Sequence, residues 1–452
     1  MTGLDFQAIK AYYNRCVVNE SLPPDDERNV DVDNFADHPR GVNWSDRLAR
    51  TIERSDRPTC LLFSGLPGSG KSTELRRLMK RLERADRAHL LPIYIDAEDV
   101  IDLANTIDVP DIILNIVHAT DRALLELEGG APDNAMQSGY LSRFWHWLTT
   151  TDVSLTQIGA KVGLGVAGVP VKPEANVVLN MKSTPSFRQR VRVAVGNQLN
   201  AFLKQAHDEL EGMEERVKAL GYNGIIIIFD SLEKLRGIST MWRDVLLSAE
   251  SLFRSGAPHL QLPVHVIYTV PPALAFRLNL EVEFMPMIKL RDLEGRDCEP
   301  GIAASRELIR RRVPDEDLHA LLGESAEALI LQLIRGSGGY PRELVRFLRR
   351  LFRDAEPQEV MSEHAFHRIA QEIQDEYRQS VPASAWPWLA RVAHERFLTI
   401  ESEEHREAAD LMLSNNAVLR YRNDDMWFDL HPALYEIPGV QDAIRRYKPE
   451  GS

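Results

Sequence analysis

The sequence is short of several things that would fix its class at once. Three cysteines in 452 residues, Cys16, Cys60 and Cys298, are odd in number and far apart, which argues against a disulfide framework and against a thiolate zinc site. Long apolar runs are missing. The most apolar stretch, Ile225 to Phe229, is strand-sized, against the roughly 20 residues that cross a bilayer. The opening MTGLDFQAIK lacks the basic-then-apolar order of a secretory signal. Positive charge is in deficit, with 54 Lys and Arg against 67 Asp and Glu and a formal net charge of −13. A wide grip on nucleic acid rests largely on phosphate neutralisation, so this balance argues against one while leaving room for a local basic patch. The expectation is a cytoplasmic protein with no membrane partner, and with nucleic acid not indicated by charge.

What is present is ordinary for a globular chain: 44% hydrophobic and 27% charged residues. At 452 residues the chain exceeds what one hydrophobic core usually serves, so two or three domains are expected. Residues 1 to about 57 are polar, carry Pro23 and Pro24, and read as a poorly ordered arm leading into a short helix. Then Thr59–Phe63 reads as a strand, followed by a glycine-rich turn and a helix from Ser72 to about Leu82. His89–Ile95 is a second strand, and apolar residues recur at helical spacing from Pro110 to about Leu127. Within residues 151–185, the stretches Lys161–Val171 and Ala175–Lys182 have extended character, and the Pro and Gly between them suggest a β-hairpin-like insertion. A helix is predicted from Ser186 to about Leu220. Gly224–Asp230 is a continuous Ile-rich run, as expected of a strand covered on both faces of a parallel sheet. A helix over Ser239–Phe253 and a strand over Pro263–Val270 come next, with a further strand over Glu283–Leu290. Strands joined by helical crossovers make an α/β, three-layer domain with a parallel sheet. Beyond Pro300 the pattern is helical until strand-like pieces return near 417–430.

The chemistry is concentrated in a few places. Gly65-Leu-Pro-Gly-Ser-Gly-Lys-Ser72 is a full GxxxxGK[ST] phosphate loop, with a strand before it and a helix after it. Gly65, Pro67, Gly68, Ser69, Gly70 and Thr73 belong to this cofactor-binding stretch: backbone N–H groups and the helix start offer a positive dipole to phosphates. Lys71 is expected on the β- and γ-phosphates and the Ser72 hydroxyl on Mg²⁺. Asp230, at the carboxyl end of the Ile-rich strand, is expected to hold Mg²⁺ through water, and Glu233 to polarise the attacking water, although Ser231 and Leu232 stand between the two acids. Thr269 lies near the end of the strand over 263–270, where a polar group can contact the γ-phosphate or the lytic water. In Ser337-Gly-Gly-Tyr-Pro-Arg-Glu-Leu344, Pro341 can open a helix and Arg342 comes directly after it, placed to approach phosphates from a lid. Arg346, Arg349, Arg350 and Arg353 continue at helical spacing, which reads either as a phosphate-binding row or as a solvated face paired with acids.

Taken in order, GLPGSGKS, IIIIFDSLE, Thr269 and GGYPRELVRFLRR resemble the AAA+/STAND class of P-loop ATPases, in the branch shared by origin-recognition-type initiators and bacterial signalling ATPases. The resemblance covers roughly residues 35 to 355. It implies an N-terminal arm (1–34), a P-loop core (35–298) carrying the 151–185 insertion, a helical lid (299–358) and a winged-helix-like domain (359–452). In this class Thr269 corresponds to a sensor at the γ-phosphate, and Gly339, Pro341 and Arg342 to the lid motif beside the nucleotide. His38-Pro-Arg-Gly-Val42 sits where relatives contact adenine. Leu411–Leu434 is similar to a winged helix, with a wing turning at Asn423-Asp-Asp425. The class often hydrolyses ATP between subunits with an arginine supplied in trans. Arg254 is the candidate, with Arg243 and Arg277 as rivals, though no distinct arginine-finger motif is present. The implied function is an ATPase switch using ATP and Mg²⁺, working as a homo-oligomer with a protein partner or effector, in some bacterial relatives in anti-phage defence. Two other readings stand beside it: a DNA-loading ATPase and a non-hydrolysing nucleotide-binding scaffold.

Overall fold

The computed structural model describes residues 3–129, 140, 143–144, 181–235 and 241–448. The insertion expected over 151–185 lies almost wholly outside them. The chain divides into two compact units, one made of Met1–Arg47, Gly65–Arg77 and Phe284–Ser452, the other of Leu48–Ser64 and Leu78–Glu283.

The second unit is built on a sheet of order β2-β3-β4-β1-β5, with β1 at Cys60–Gly65, β2 at Leu90–Asp96, β3 at Gly224–Asp230, β4 at His265–Thr269 and β5 at Val282–Met285. The β2–β3, β3–β4 and β1–β4 pairs are parallel. All seven residues of β3 are buried. Ile225, Ile227 and Phe229 join one apolar cluster with Ile112 and Ile116 of α4 (Val109–Leu127), with Phe202 and Met213 of α6 (Leu199–Ala219), and with Val245 and Leu252 of α7 (Trp242–Arg254). Ile226 and Ile228 are equally buried but lie outside that cluster, so the strand is covered on both faces and the architecture is three-layered. The single helix expected over 186–220 is two, α5 (Pro185–Gly196) and α6, with the break at Asn197-Gln198 just after Gly196.

The first unit begins with α1 (Phe6–Arg15), N-capped by the Asp5 carboxylate, which accepts from Ala8 N–H at 2.8 Å. This corrects the expected poorly ordered arm. The helix lies on α11 (Pro341–Asp354): Tyr12 packs on Phe352 at 5.4 Å between ring centroids, and the Arg349 guanidinium stands 4.1 Å over the Tyr13 ring. α2 (Trp44–Glu53) precedes β1, and α3 (Lys71–Glu83) comes after the phosphate loop. A helical bundle forms from α8 (Glu299–Arg310), α9 (Asp315–Leu322), α10 (Ala326–Gly336) and α11. The C-terminal part runs α12 (Glu363–Ser380), α13 (Trp386–Glu395), α14 (Glu403–Ser414), an antiparallel hairpin β6–β7 (Val418–Arg422 and Met426–Leu430), and α15 (Pro438–Arg446). That is a winged-helix layout. The fold is an α/β P-loop NTPase core, succeeded along the chain by a helical region and a winged-helix-like domain.

The strand expected over 283–290 stops at Met285. Beyond it the chain forms a strap whose N–H groups go to three different partners: Met287 to the Arg420 carbonyl (2.9 Å), Ile288 to Gly339 (3.1 Å) and Lys289 to Pro39 (2.9 Å). The backbone donors are satisfied by tying segments together rather than by a sheet. Among the described residues no helix is long and apolar enough to cross a membrane.

Candidate functional site

β1 lies between β4 and β5 in the sheet and delivers the chain straight into the Gly65–Ser72 loop. Gly68 and Gly70 take φ of +81° and +99°, conformations that L side chains rarely adopt. Lys71 is 3% exposed, and its ammonium donates to the carbonyls of Gly65 (2.9 Å) and Leu66 (3.2 Å). Ser69 Oγ is buried without a protein partner. A Cβ on Gly70 would meet nothing nearer than Arg40 Nη1 at 3.7 Å. Backbone amides, a buried ammonium and an orphaned hydroxyl suit a polyphosphate. Ser72 and Thr73 lie in the first turn of α3 just behind the loop.

The bundle reaches this loop directly. A Cβ on Gly68 would fall 2.7 Å from Tyr340 Cε2 and 2.8 Å from both Cβ and Nε of Arg342. Gly338 and Gly339 (φ +61° and +71°) make the turn that presents this pair, and a Cβ on Gly339 would collide with the Ile288 carbonyl at 1.8 Å. Pro341 then occupies the first turn of α11, where its missing N–H costs nothing. The structure therefore brings Gly68, Tyr340 and Arg342 together, with Pro341 between the last two in the chain. A cavity of about 210 Å³ opens beside them, lined among others by Tyr340, Arg342, Glu343, Arg346 and Asn416.

Beneath the loop lies a buried ion cluster to which the sequence patterns do not point. Arg40, 2% exposed, donates to Asp33 (2.6 Å) and Glu74 (2.6 Å), and Arg77 closes on Glu74 at 2.6 Å. Burial works against the charge on Arg40, but the facing carboxylates of Asp33 and Glu74 outweigh it and hold the guanidinium ionised. Burial likewise opposes ionisation of Glu74, and Arg40 and Arg77 overcome it, keeping its carboxyl below the usual range. The family resemblance connects His38–Val42 only with adenine. Here the arginine of that segment braces the first turn of α3.

In the other unit, register aligns the carboxyl ends of three strands: Phe63 of β1 faces Thr269 of β4, and Tyr268 faces Phe229, one residue before Asp230. Asp230 is fully buried, its carboxylate accepting from the Tyr94 hydroxyl (2.6 Å) and from Ser231 N–H (2.7 Å). Ser231 takes φ +67°, turning the chain into the short helix Leu232–Lys234 that carries Glu233, which is 6% exposed. Thr269 Oγ accepts from Leu232 N–H at 3.1 Å, so the Thr269 strand holds the very turn that presents Glu233. Among the described residues no group of three or more His, Cys, Asp or Glu could hold a metal. Asp230 offers a single carboxylate, and Mg²⁺ needs one or two, taking waters and phosphate oxygens otherwise.

The arginines differ in availability. Arg254, at the end of α7, is half exposed, pairs with Glu250 at 3.0 Å and donates to the Arg277 carbonyl at 2.6 Å. Arg277 is largely buried against the same Glu250 at 3.0 Å; Arg243 lies at the start of α7 and is exposed. The row on α11 is spent internally: Arg346 on Glu343 and Glu376, Arg350 on Glu376, Arg353 on Asp354 and Glu372, and Arg349 on the Cys16 carbonyl. The reading of this row as a paired face is the one the geometry favours. In the wing, Arg420 is mostly buried, its guanidinium 4.2 Å over the Phe284 ring, and burial, with Arg422 adding, pulls its pKa down to about 10.

No protein-family model matches the chain, and no curated protein matches it. Solved structures align along nearly all of it at low similarity. The Aeropyrum pernix ORC2 protein, in ADPNP-ADP complexes, is 12% identical, with 96% of this chain and 97% of that chain covered at a TM-score of 0.37. A chain of Drosophila ORC bound to DNA is 12% identical, with 97% and 92% covered and a TM-score of 0.37. Cdc6p from Pyrobaculum aerophilum is 12% identical, with 96% and 97% covered and a TM-score of 0.33.

Proposed function

We propose that this chain is an ATP-binding and ATP-hydrolysing switch of the AAA+/STAND type. The observation that carries the reading is the packing of Tyr340 and Arg342 against Gly68 of a complete GxxxxGKS loop. A cation held at the rim of a phosphate loop by a helix start is placed to sense what the loop holds. In this reading the loop amides, Ser69 and Lys71 bind the triphosphate, and Ser72 and Asp230 serve Mg²⁺. The ion, when bound, would neutralise charge on the phosphate oxygens. Glu233 orients and deprotonates the attacking water, and Thr269 keeps the turn under Glu233 in register. Arg342 binds the terminal phosphate from α11, so that its loss on hydrolysis frees α11 and the winged helix attached to it. Arg254 is the arginine offered to a neighbouring copy. The division into core, lid and winged helix, homo-oligomerisation and control of an effector protein, as in phage defence, extend the same proposal from the sequence resemblance.

DNA loading is the less favoured alternative, because the arginine row that suggested it is neutralised by Glu343, Glu372 and Glu376. The test is ATP turnover per subunit across a wide protein concentration range, with Glu233→Gln alongside. Turnover that rises with concentration and vanishes in the variant supports an oligomeric ATPase. Turnover unchanged in the variant removes Glu233 as base. Nucleotide binding without turnover at any concentration would leave the scaffold reading.

A further inference from the structure

The turn between α14 and β6 places Asn416 against the phosphate loop. Its side-chain Nδ2 donates to the Pro67 carbonyl at 3.1 Å, across 349 residues of sequence. Asn416 is 5% exposed and has φ +57°, a left-handed conformation that Asn tolerates better than most residues. The turn is pinned on both sides: Ala417 N–H donates to the Met412 carbonyl at 2.9 Å, and His431 N–H donates to the Ala417 carbonyl at 2.9 Å. The other end of the amide, Oδ1, is buried without a partner. A carbonyl can only accept, so Nδ2 must face Pro67, and the orphaned oxygen is the cost of keeping it there.

This contact completes a pattern in the loop. The carbonyls of Gly65 and Leu66 are held by the Lys71 ammonium, and that of Pro67 by Asn416. In a trans peptide the C=O and the following N–H point in opposite directions, and no cis peptide occurs among the described residues. Holding the Pro67 carbonyl towards Asn416 therefore turns the Gly68 N–H away from Asn416. Pro67 has no N–H of its own, so Gly68 supplies the next amide donor after Leu66. At φ +81° Gly68 could otherwise rotate its peptide at little cost.

We propose that Asn416, from the winged-helix-like domain, is a positioning residue for phosphate binding, fixing the Pro67–Gly68 peptide so that the Gly68 amide faces the phosphates. The inference rests on the phosphate-loop reading above. It also makes the grip on nucleotide depend on where the winged helix sits.

The test uses the full chain with Asn416→Gly, which keeps the left-handed turn and removes the amide. Asn416→Ser serves as a second truncation, and Glu404→Ala, at an exposed position on α14, as a control on the same element. Affinities for Mg-ADP and for tripolyphosphate alone are measured with the unfolding midpoint of the nucleotide-free protein. Both ligands should weaken by the same factor, about fivefold to twentyfold, in each Asn416 variant, as expected for one misdirected hydrogen bond. The midpoint should stay near that of the parent, and Glu404→Ala should bind as the parent does. Unchanged affinities, with or without a lower midpoint, would overturn the positioning role alone. A parent protein that binds neither ligand, with Lys71→Ala no different, would overturn the phosphate-loop reading and this inference with it.

Discussion

The Arg342 side chain lies across Gly68: a methyl group on that glycine would fall 2.8 Å from both Cβ and Nε of the arginine. The position tolerates no side chain, for steric reasons and because φ is +81°. Gly68→Ala should therefore destabilise the fold by about 1–3 kcal/mol, and push Tyr340 and Arg342 off the loop. Denaturant unfolding reads the first effect, and nucleotide titration should show affinity reduced together with it.

Arg342→Ala removes a cation at the loop rim while leaving the loop glycines and Lys71 in place. ATP affinity should fall about tenfold, with ADP affected less, because the missing charge belongs to the terminal phosphate. Arg342→Lys should restore little, since an ammonium lacks the planar fork of a guanidinium. Equal losses for ATP and ADP would move Arg342 away from the terminal phosphate.

Much of this architecture is legible in the sequence. The β3 run declares itself because burial on both faces leaves it no polar position, and the phosphate loop because its glycines and lysine are chemically irreplaceable. Pro341 marks the start of α11 by its fixed φ. The parts that are not legible depend on partners distant in the chain. α1 is short and fully buries only Ile9, and its docking comes from Tyr12 and Tyr13 meeting Phe352 and Arg349 more than 300 residues on. Asn416 reads as one more polar turn residue until the fold sets it against Pro67. The strap after Met285 has the composition of a strand, yet its donors are divided among Arg420, Gly339 and Pro39, a choice made by tertiary structure. The break after α5 did carry a signal, Gly196.

Arg40→Met would leave Asp33 and Glu74 buried together without their shared cation. Breaking one partner out of such a cluster costs about 3–5 kcal/mol, more than replacing the whole cluster with apolar residues would. The expected outcome is a clear fall in the denaturant midpoint at neutral pH, partly recovered when Asp33→Asn and Glu74→Gln are added.

His431 is fully buried, stacked on Tyr377 at 4.1 Å between ring centroids, and its Nδ1 accepts from Ala433 N–H at 3.2 Å. Burial first, and the charge of Arg346 second, lower its pKa from 6.5 to about 3. Between those values the unfolded chain binds a proton that the folded chain refuses, so stability declines as pH falls below about 6.5. The contribution should reach about 2 kcal/mol by pH 5. His431→Asn, which keeps an acceptor for Ala433, should flatten that part of the stability–pH curve when unfolding is tracked from pH 7 to pH 5.

The central claim is that the Gly65–Ser72 loop binds ATP through Lys71. Its most direct test is equilibrium binding of Mg-ATP to the full chain and to Lys71→Ala, by calorimetry under identical conditions. Saturable binding at one site per subunit in the parent, lost or weakened by at least about a hundredfold in the variant, is the result the account expects. Equal binding by both proteins, or none by the parent, would contradict it.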